Sequence, residues 1–156
     1  MHKIQTTIDI KASVQRVYDF ILDPRHLPGV WHSLLEVSHV VTRPGPVYDY
    51  DFVYKMAGVH MKGHTTTEEA QPGRLLRTRS EGAILSTFRW TFQGLDGAGT
   101  RLTCDVEYAI PTPVIGKIAE AISVKLNRRE AETTLANIKD VMEHSTATVA
   151  AGAPAH

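Results

Sequence analysis

The sequence predicts an α+β domain in which a curved antiparallel sheet of about seven strands wraps round one long C-terminal helix. Three observations lead to this prediction. One strand pattern, one or two short helical patterns, six more strand patterns and one long helical pattern follow each other along the chain. Short turns join the consecutive strands, which indicates an antiparallel meander. Each strand has one apolar face, and only the last helix is long enough to cover those faces.

The first strand is predicted in HKIQTTIDIKA, because alternate residues of a strand share a face. The inward face of this strand would carry Ile4, Thr6, Ile8 and Ile10. Ser13 is a typical helix N-cap, and the apolar residues of VQRVYDFILD follow it at helical spacing. Pro24 ends this helix, since the residue before a proline avoids helical geometry. The next segment, RHLPGVWHS, is predicted to form a short helix or a loop.

The third strand, in PVYDYDFVYKMAG, alternates aromatic with mostly charged residues. A phenol that is buried without a hydrogen-bond partner costs roughly 1–3 kcal/mol. Inward phenols therefore predict water, a polar neighbour or a ligand beside them. The inward face of this strand is predicted to carry Tyr48, Tyr50, Phe52, Tyr54 and Met56.

The other strands add aromatic and short polar side chains to the same face of the sheet. Bulky aromatic residues beside small polar ones suit a pocket that orients its ligand with a few hydrogen bonds. LLEVSHVVT is expected to turn Leu35, Val37, His39 and Val41 inward, whereas LLRTRSEG has no clear register. From the strands, together with Trp31 at the mouth, we predict a ligand-binding site formed by Trp31, Tyr48, Tyr50, Phe52, Tyr54, Met61, Thr65, Ser86, Phe88, Trp90 and Tyr108.

The long helix is predicted from about Val114 to Glu143. Its apolar stripe changes direction, because Ile115, Ile118 and Ile122 lie opposite the stripe of the second half. Either the helix bends at Gly116 or its first half is covered on two sides, for example in a homodimer. Residues 145–156 are small and weakly patterned, so a disordered tail is predicted after a single domain of residues 1–144.

Composition excludes several classes of protein. Lys plus Arg and Asp plus Glu both number 17, and a chain without net charge lacks the basic footprint of a nucleic-acid or anionic-membrane binder. The single cysteine, Cys104, shares a face with apolar residues and is expected to be a buried small hydrophobe. Because no segment resembles a signal peptide or a membrane helix, we expect a cytoplasmic protein without membrane insertion.

The histidines and arginines give weak signals for chemistry. His60 and His64 would lie about 13 Å apart on a strand, so no metal site is predicted, and no cofactor motif is present. His39 is interpreted either as a satisfied core histidine or as a proton shuttle. The weak catalytic candidates are therefore His39, Tyr50 and Tyr54. Arg77 and Arg79 are expected to face solvent, although an inward pair would bind an acidic ligand group.

Three stretches resemble the START, birch-pollen-allergen and polyketide cyclase/dehydrase superfamily, also called SRPBCC. They are TTIDIKASVQRVYDFILDP, GAGTRLTCDVEYAIP and GKIAEAISVKLNRREAETTLANIKDVME. The resemblance covers roughly residues 4–143 and implies a helix-grip fold with a cavity between sheet and helix. The segment RHLPGVWHS would lie near the mouth of this cavity. Members bind lipids, sterols, polyketides and other hydrophobic molecules, and some are enzymes.

These observations lead to one main hypothesis and two alternatives. The main one is a protein that binds a hydrophobic or aromatic small molecule, such as a lipid, sterol or polyketide-like compound, without a cofactor. The first alternative is a polyketide cyclase or dehydratase in which a pocket Tyr or His moves protons. The second is a dimerising interaction module that uses the first half of the long helix.

Overall fold

The computed structural model describes residues 2–56, 58–109 and 120–150, and within the last range the side chains of residues 127–144. Two helices, one short 3₁₀ helix and seven strands make up these ranges. In chain order they are β1 (His2–Ile10), α1 (Val14–Leu22), the 3₁₀ helix (Pro24–Gly29), β2 (Leu34–Arg43), β3 (Val47–Met56), β4 (Val59–Gln71), β5 (Leu75–Gly82), β6 (Leu85–Leu95), β7 (Gly99–Ala109) and α2 (Glu120–Ala150).

The described strands form one sheet in the order β1-β7-β6-β5-β4-β3-β2. All pairs are antiparallel, and each strand from β2 to β7 lies beside its neighbour in the chain. Only β1 departs from this order, because α1 and the 3₁₀ helix carry the chain from the β1 edge to the β2 edge. The predicted α+β class, with a seven-stranded antiparallel sheet and a C-terminal helix, is confirmed.

Helix α1 forms where the sequence pattern places it. The side-chain oxygen of Ser13 accepts a hydrogen bond from the backbone N–H of Arg16 at 3.3 Å, so Ser13 is the N-cap. Val17, Tyr18 and Ile21 are the buried face. Burial of such a side chain contributes about 1.5–3 kcal/mol each, and this face fixes α1 against the sheet.

Helix α2 packs its second half over β1. Leu135, Ile138 and Met142 are buried, as the apolar stripe of this half predicts. Lys139 Nζ also donates a hydrogen bond of 2.8 Å to the backbone carbonyl of Asp9. The predicted start at Val114 and the side chains of the first-half stripe lie outside the described residues. The helix continues to Ala150, so residues 145–150 of the predicted disordered tail are helical.

The predicted inward face of β2 is wrong for three of its four residues. Leu35 and Val41 are 47% and 56% exposed, and His39 is exposed as well, whereas Val37 is half-buried against the cluster of Leu27, Leu34 and Phe52. The pairing with β3 shifts register between Leu34 and Glu36 and again between Ser38 and Val41. Because a slip of one residue turns side chains to the other face of a sheet, these bulges break the alternation. His39 has a φ of 50° within the second bulge.

Two glycines bring β4 and β5 close to an aromatic ring of the inner face. Gly63 lies opposite Phe52 on β3 and opposite Gly82 on β5. A Cβ at Gly63 would lie 2.5 Å from Phe52 Cζ and 2.6 Å from the carbonyl oxygen of Glu81. The glycine therefore provides the space that the Phe52 ring occupies.

Candidate ligand-binding cavity

A cavity lies between the inner face of the sheet and α2, with the 3₁₀ helix and the segment after it at its side. As an upper bound that includes its open part, the empty space amounts to about 1110 Å³. The wall is mostly apolar, and Leu22, Leu27 and Ile84 are among its aliphatic residues.

Most of the side chains predicted for a ligand site line this cavity. From β3 and β4 they are Tyr50, Phe52, Tyr54 and Thr65. The segment after the 3₁₀ helix, β6 and β7 contribute Trp31, Ser86, Phe88, Trp90 and Tyr108. The two-residue period of the strands explains this grouping, because it turns these residues to one face. Ligand binding by these residues stays a prediction.

Tyr48 and Met61 are not among the residues that line the cavity. Tyr48 lies one strand repeat, about 6.8 Å, beyond Tyr50. The guanidinium carbon of Arg25 lies 5.8 Å from the centroid of the Tyr48 ring. Met61 is 1% exposed and belongs to the main apolar core. Both residues share the inward face of their strands, although Met61 pairs with Tyr54, which does line the cavity.

Other wall residues were missed by sequence reasoning. On β5, Thr78 and Ser80 line the cavity while Arg77 and Arg79 are exposed, so the strand does have a two-residue period. The alternation of arginine with short polar residues was the available signal. On α2, Glu130, Thr134 and Leu135 line the cavity. Glu130 lies within NRREAE, where many charged neighbours conceal the one that faces inward.

The two arginines of β5 pair with acidic residues on the outer face. Arg77 lies 3.6 Å from Glu68, and Arg79 lies 3.1 Å from Glu81. The expected outward orientation is therefore confirmed. The alternative interpretation, in which both arginines face inward and bind an acidic ligand group, is wrong.

Two phenols of the wall are strongly desolvated. Burial raises the pKa of Tyr50 to about 12, and a hydrogen bond with the Thr65 side chain opposes this shift. The Thr65 hydroxyl shares a second hydrogen bond of 2.7 Å with Ser80. Burial also raises the pKa of Tyr54, and the nearby carboxylate of Glu130 raises it further. Both phenols stay protonated at neutral pH, so they act as hydrogen-bond donors rather than as bases.

Trp31 connects the mouth segment to the aromatic wall. Its ring centroid is 6.0 Å from that of Tyr54 and 5.1 Å from that of Phe88. Its backbone N–H donates to the carbonyl of Leu27 at 2.8 Å, which fixes the residue at the end of the 3₁₀ helix. The indole nitrogen Nε1 is buried, and no described residue accepts a well-formed hydrogen bond from it.

Helix α2 holds the mouth segment through two hydrogen bonds. Glu130 Oε1 accepts the backbone N–H of Ser33 at 2.8 Å. Asn137 Nδ2 donates to the carbonyl of Val30 at 2.9 Å. Glu130 therefore lines the cavity, and its carboxylate fixes the segment that carries Trp31.

The histidines of β2 and β4 lie away from the cavity. The Nδ1 atoms of His39 and His64 are 2.9 Å and 2.7 Å from the carboxylate of Asp51 on the outer face. His39 is thus neither a core histidine nor placed to move a proton in the cavity, and both interpretations of it are wrong. His60 is exposed on the same outer face. Within the described residues no group of three His, Cys, Asp or Glu side chains has a geometry for a metal ion.

The cysteine of the cavity wall has an unreactive thiol. Cys104 is 2% exposed, and burial raises the pKa of its thiol, so the reactive thiolate is suppressed. This agrees with the predicted buried small hydrophobe. Among the described helices none combines the length and the apolar character of a membrane span.

The seven-stranded sheet, the C-terminal helix and the cavity between them define a helix-grip fold. The sequence matches the family described as polyketide cyclase / dehydrase and lipid transport over residues 1–143. The chain therefore belongs to this family, as the resemblance of its three stretches predicts. The comparison with curated proteins gives no match.

Solved structures from several bacteria share the fold. A Thermus thermophilus protein has a TM-score of 0.79 at 20% identity, covering 92% of this chain and 99% of its own. A START superfamily protein from Mycobacterium smegmatis has a TM-score of 0.78 at 13% identity, with the same coverage of 92% and 99%. The Zhui aromatase/cyclase from Streptomyces sp. R1128 has a TM-score of 0.78 at 14% identity, covering 98% and 99%. At these identities the likeness concerns the fold alone.

Proposed function

We propose that this protein binds a hydrophobic or aromatic small molecule, of lipid, sterol or polyketide type, between the sheet and α2. The observation that carries the proposal is the wall of the cavity. Aromatic rings surround it, and hydroxyl groups such as those of Tyr50, Tyr54 and Thr65 are the orienting donors and acceptors. The family description, which includes lipid transport, supports the same kind of ligand.

The test is a panel of lipids, sterols and aromatic polyketides, followed by thermal unfolding. A ligand at one hundred times its Kd stabilises the folded state by about 2.7 kcal/mol. For a domain of this size that raises Tm by about 5–10 °C. A panel in which no compound raises Tm would overturn the proposal.

A cavity-filling variant shows whether the response comes from this cavity. Ser86 lies on the wall, so Ser86→Leu places a larger apolar side chain in the space of the ligand. Thr87→Leu is the matched control, because Thr87 follows Ser86 in β6 and therefore points to the other face of the sheet. We expect Ser86→Leu to abolish the Tm shift and Thr87→Leu to retain it. Equal shifts in both variants would place the ligand elsewhere.

A second candidate function, a cyclase or dehydratase, is favoured by the proximity of Tyr54 and Glu130. A protonated phenol can stabilise a developing enolate by a hydrogen bond, and a carboxylate can accept a proton. His39 has no part in such chemistry. Tyr54→Phe and Glu130→Gln should then lower turnover of a polyketide-like substrate without weakening its binding. Equal turnover in both variants and wild type would rule out this role.

Homodimerisation through the first half of the long helix stays a prediction, because the side chains of that half lie outside the described residues. Light scattering tests it directly. A monomer at high protein concentration would contradict it.

A further inference from the structure

The charge of the cavity wall constrains the ligand. Among the described residues that line the cavity, Glu130 is the only Asp, Glu, His, Lys or Arg. The other titratable wall residues are Cys104 and three tyrosines, and burial keeps Tyr50, Tyr54 and Cys104 neutral at pH 7. An apolar wall weakens the screening of a charge, so the carboxylate acts more strongly on a ligand than it would in water.

No described cation of the wall compensates for this carboxylate. The two arginines that the sequence offers for an acidic ligand group, Arg77 and Arg79, are exposed on the outer face of β5. Arg25 forms a salt bridge of 2.7 Å with Asp23 and does not line the cavity. Among the described wall residues, an anionic ligand group would therefore meet a negative charge and no arginine or lysine to bind it.

The cavity residues around Glu130 include a buried indole donor. The Tyr54 hydroxyl is near the charge of Glu130 and within hydrogen-bonding reach of the Trp31 and Ser33 side chains. The contact between Trp31 and Tyr54 is poorly aligned, so the buried indole N–H of Trp31 makes no well-formed hydrogen bond to any described residue. A carboxylate has about four acceptor positions, so the bond from Ser33 leaves Glu130 capacity for a ligand donor. The same cavity thus offers an acceptor with negative charge, Glu130, and an indole donor, Trp31, which lies two residues before the Ser33 that Glu130 binds.

Building on the proposed function, we propose that the ligand is uncharged and carries a hydroxyl or amide group that donates to Glu130 and accepts from Trp31. Glu130 excludes carboxylates of the same shape. The class of ligand is then a neutral alcohol, phenol or amide on an apolar skeleton, and free fatty acids and aromatic acids are rejected.

The experiment compares three probes of one ring system by calorimetry at pH 7. They are 2-naphthol, naphthalene-2-carboxamide and 2-naphthoate, of which the last two have nearly the same shape and differ in charge. We expect the naphthol and the carboxamide to bind at least about tenfold more tightly than the naphthoate, since like charges in a desolvated site repel strongly. A naphthoate that binds as tightly as the carboxamide would overturn the inference.

Two variants assign the discrimination to its residues. Glu130→Gln removes the charge and keeps an oxygen for the N–H of Ser33, so the preference for carboxamide over naphthoate should fall to within about threefold. Glu132→Gln removes an exposed charge two residues further along α2 and should leave the preference unchanged. Trp31→Phe should weaken naphthol and carboxamide binding by about threefold to tenfold, the effect of one hydrogen bond.

The outcomes separate the two proposals. A preference that survives in Glu130→Gln contradicts the role of this carboxylate but leaves ligand binding in place. A free fatty acid that raises Tm, together with no binding of naphthol or carboxamide, also overturns the inference alone. If no probe binds and no panel compound raises Tm, both proposals fall. Should Glu130→Gln not fold, the comparison of carboxamide and naphthoate on the wild-type protein decides the question.

Discussion

Tyr50→Phe should change how the stability of the protein depends on alkaline pH. Burial raises the pKa of Tyr50 to about 12, whereas an exposed phenol has a pKa of 10.0. The unfolded chain therefore loses its Tyr50 proton first. Above pH 10 ionisation stabilises the unfolded state, and the free energy of unfolding falls as the pH rises.

The size of the effect follows from these two pKa values. At pH 11 the unfolded phenol is mostly ionised and the folded one is mostly protonated, so folding loses about 1.4 kcal/mol relative to pH 8. The loss approaches about 2.7 kcal/mol above pH 12, which is two pKa units. Phenylalanine cannot ionise, and the variant should lack this part of the decline.

Urea unfolding at pH 8, 9, 10 and 11 measures the decline. The difference in free energy of unfolding between Tyr50→Phe and wild type should shift by about 1.4 kcal/mol in favour of the variant between pH 8 and pH 11. Tyr48→Phe removes a phenol outside the cavity, so its curve should keep the Tyr50 contribution. Parallel curves for Tyr50→Phe and wild type would show that Tyr50 is not desolvated. Tyr50 would then not be a buried hydrogen-bond donor of the cavity wall.

Three further substitutions test the positions of other residues. Gly63→Ala should lower the free energy of unfolding by about 1–3 kcal/mol in urea titration, because the added Cβ would lie 2.6 Å from the carbonyl oxygen of Glu81. An unchanged midpoint of unfolding would contradict this packing. Ser13→Ala should cost about 1 kcal/mol by the same measurement, since it removes the α1 cap, and a neutral result would refute that role. His39→Ala should leave ligand affinity in calorimetry unchanged, because the residue is exposed on the outer face, whereas a weakened affinity would place it at the site.

Regular alternation made most of the fold predictable. β1, β6 and β7 keep a strict two-residue period, and their buried residues, such as Ile4, Trp90 and Leu102, are the ones that the pattern turns inward. The aromatic cavity wall follows from the same period. These elements were accessible from sequence because each has one apolar and one polar face.

The failures come from features that depend on tertiary structure. The two bulges of β2 arise from its pairing with β3, and no local signal in LLEVSHVVT marks them. Glu130 was missed because its role depends on the position of α2 over the cavity, while its sequence neighbours are exposed charges. That Tyr48 and Met61 do not line the cavity depends on the shape of the cavity, which a two-residue period does not specify.

The central claim, a small molecule bound between sheet and α2, can be tested most directly through the two tryptophans of the chain. Both Trp31 and Trp90 line the cavity, so each indole N–H signal in a ¹H–¹⁵N spectrum reports on it, and Trp31→Phe assigns the pair. Titration with the compound that gives the largest rise in Tm should move both signals to saturation at the same ligand concentration. Binding that saturates while both indole signals stay in place would contradict the claim.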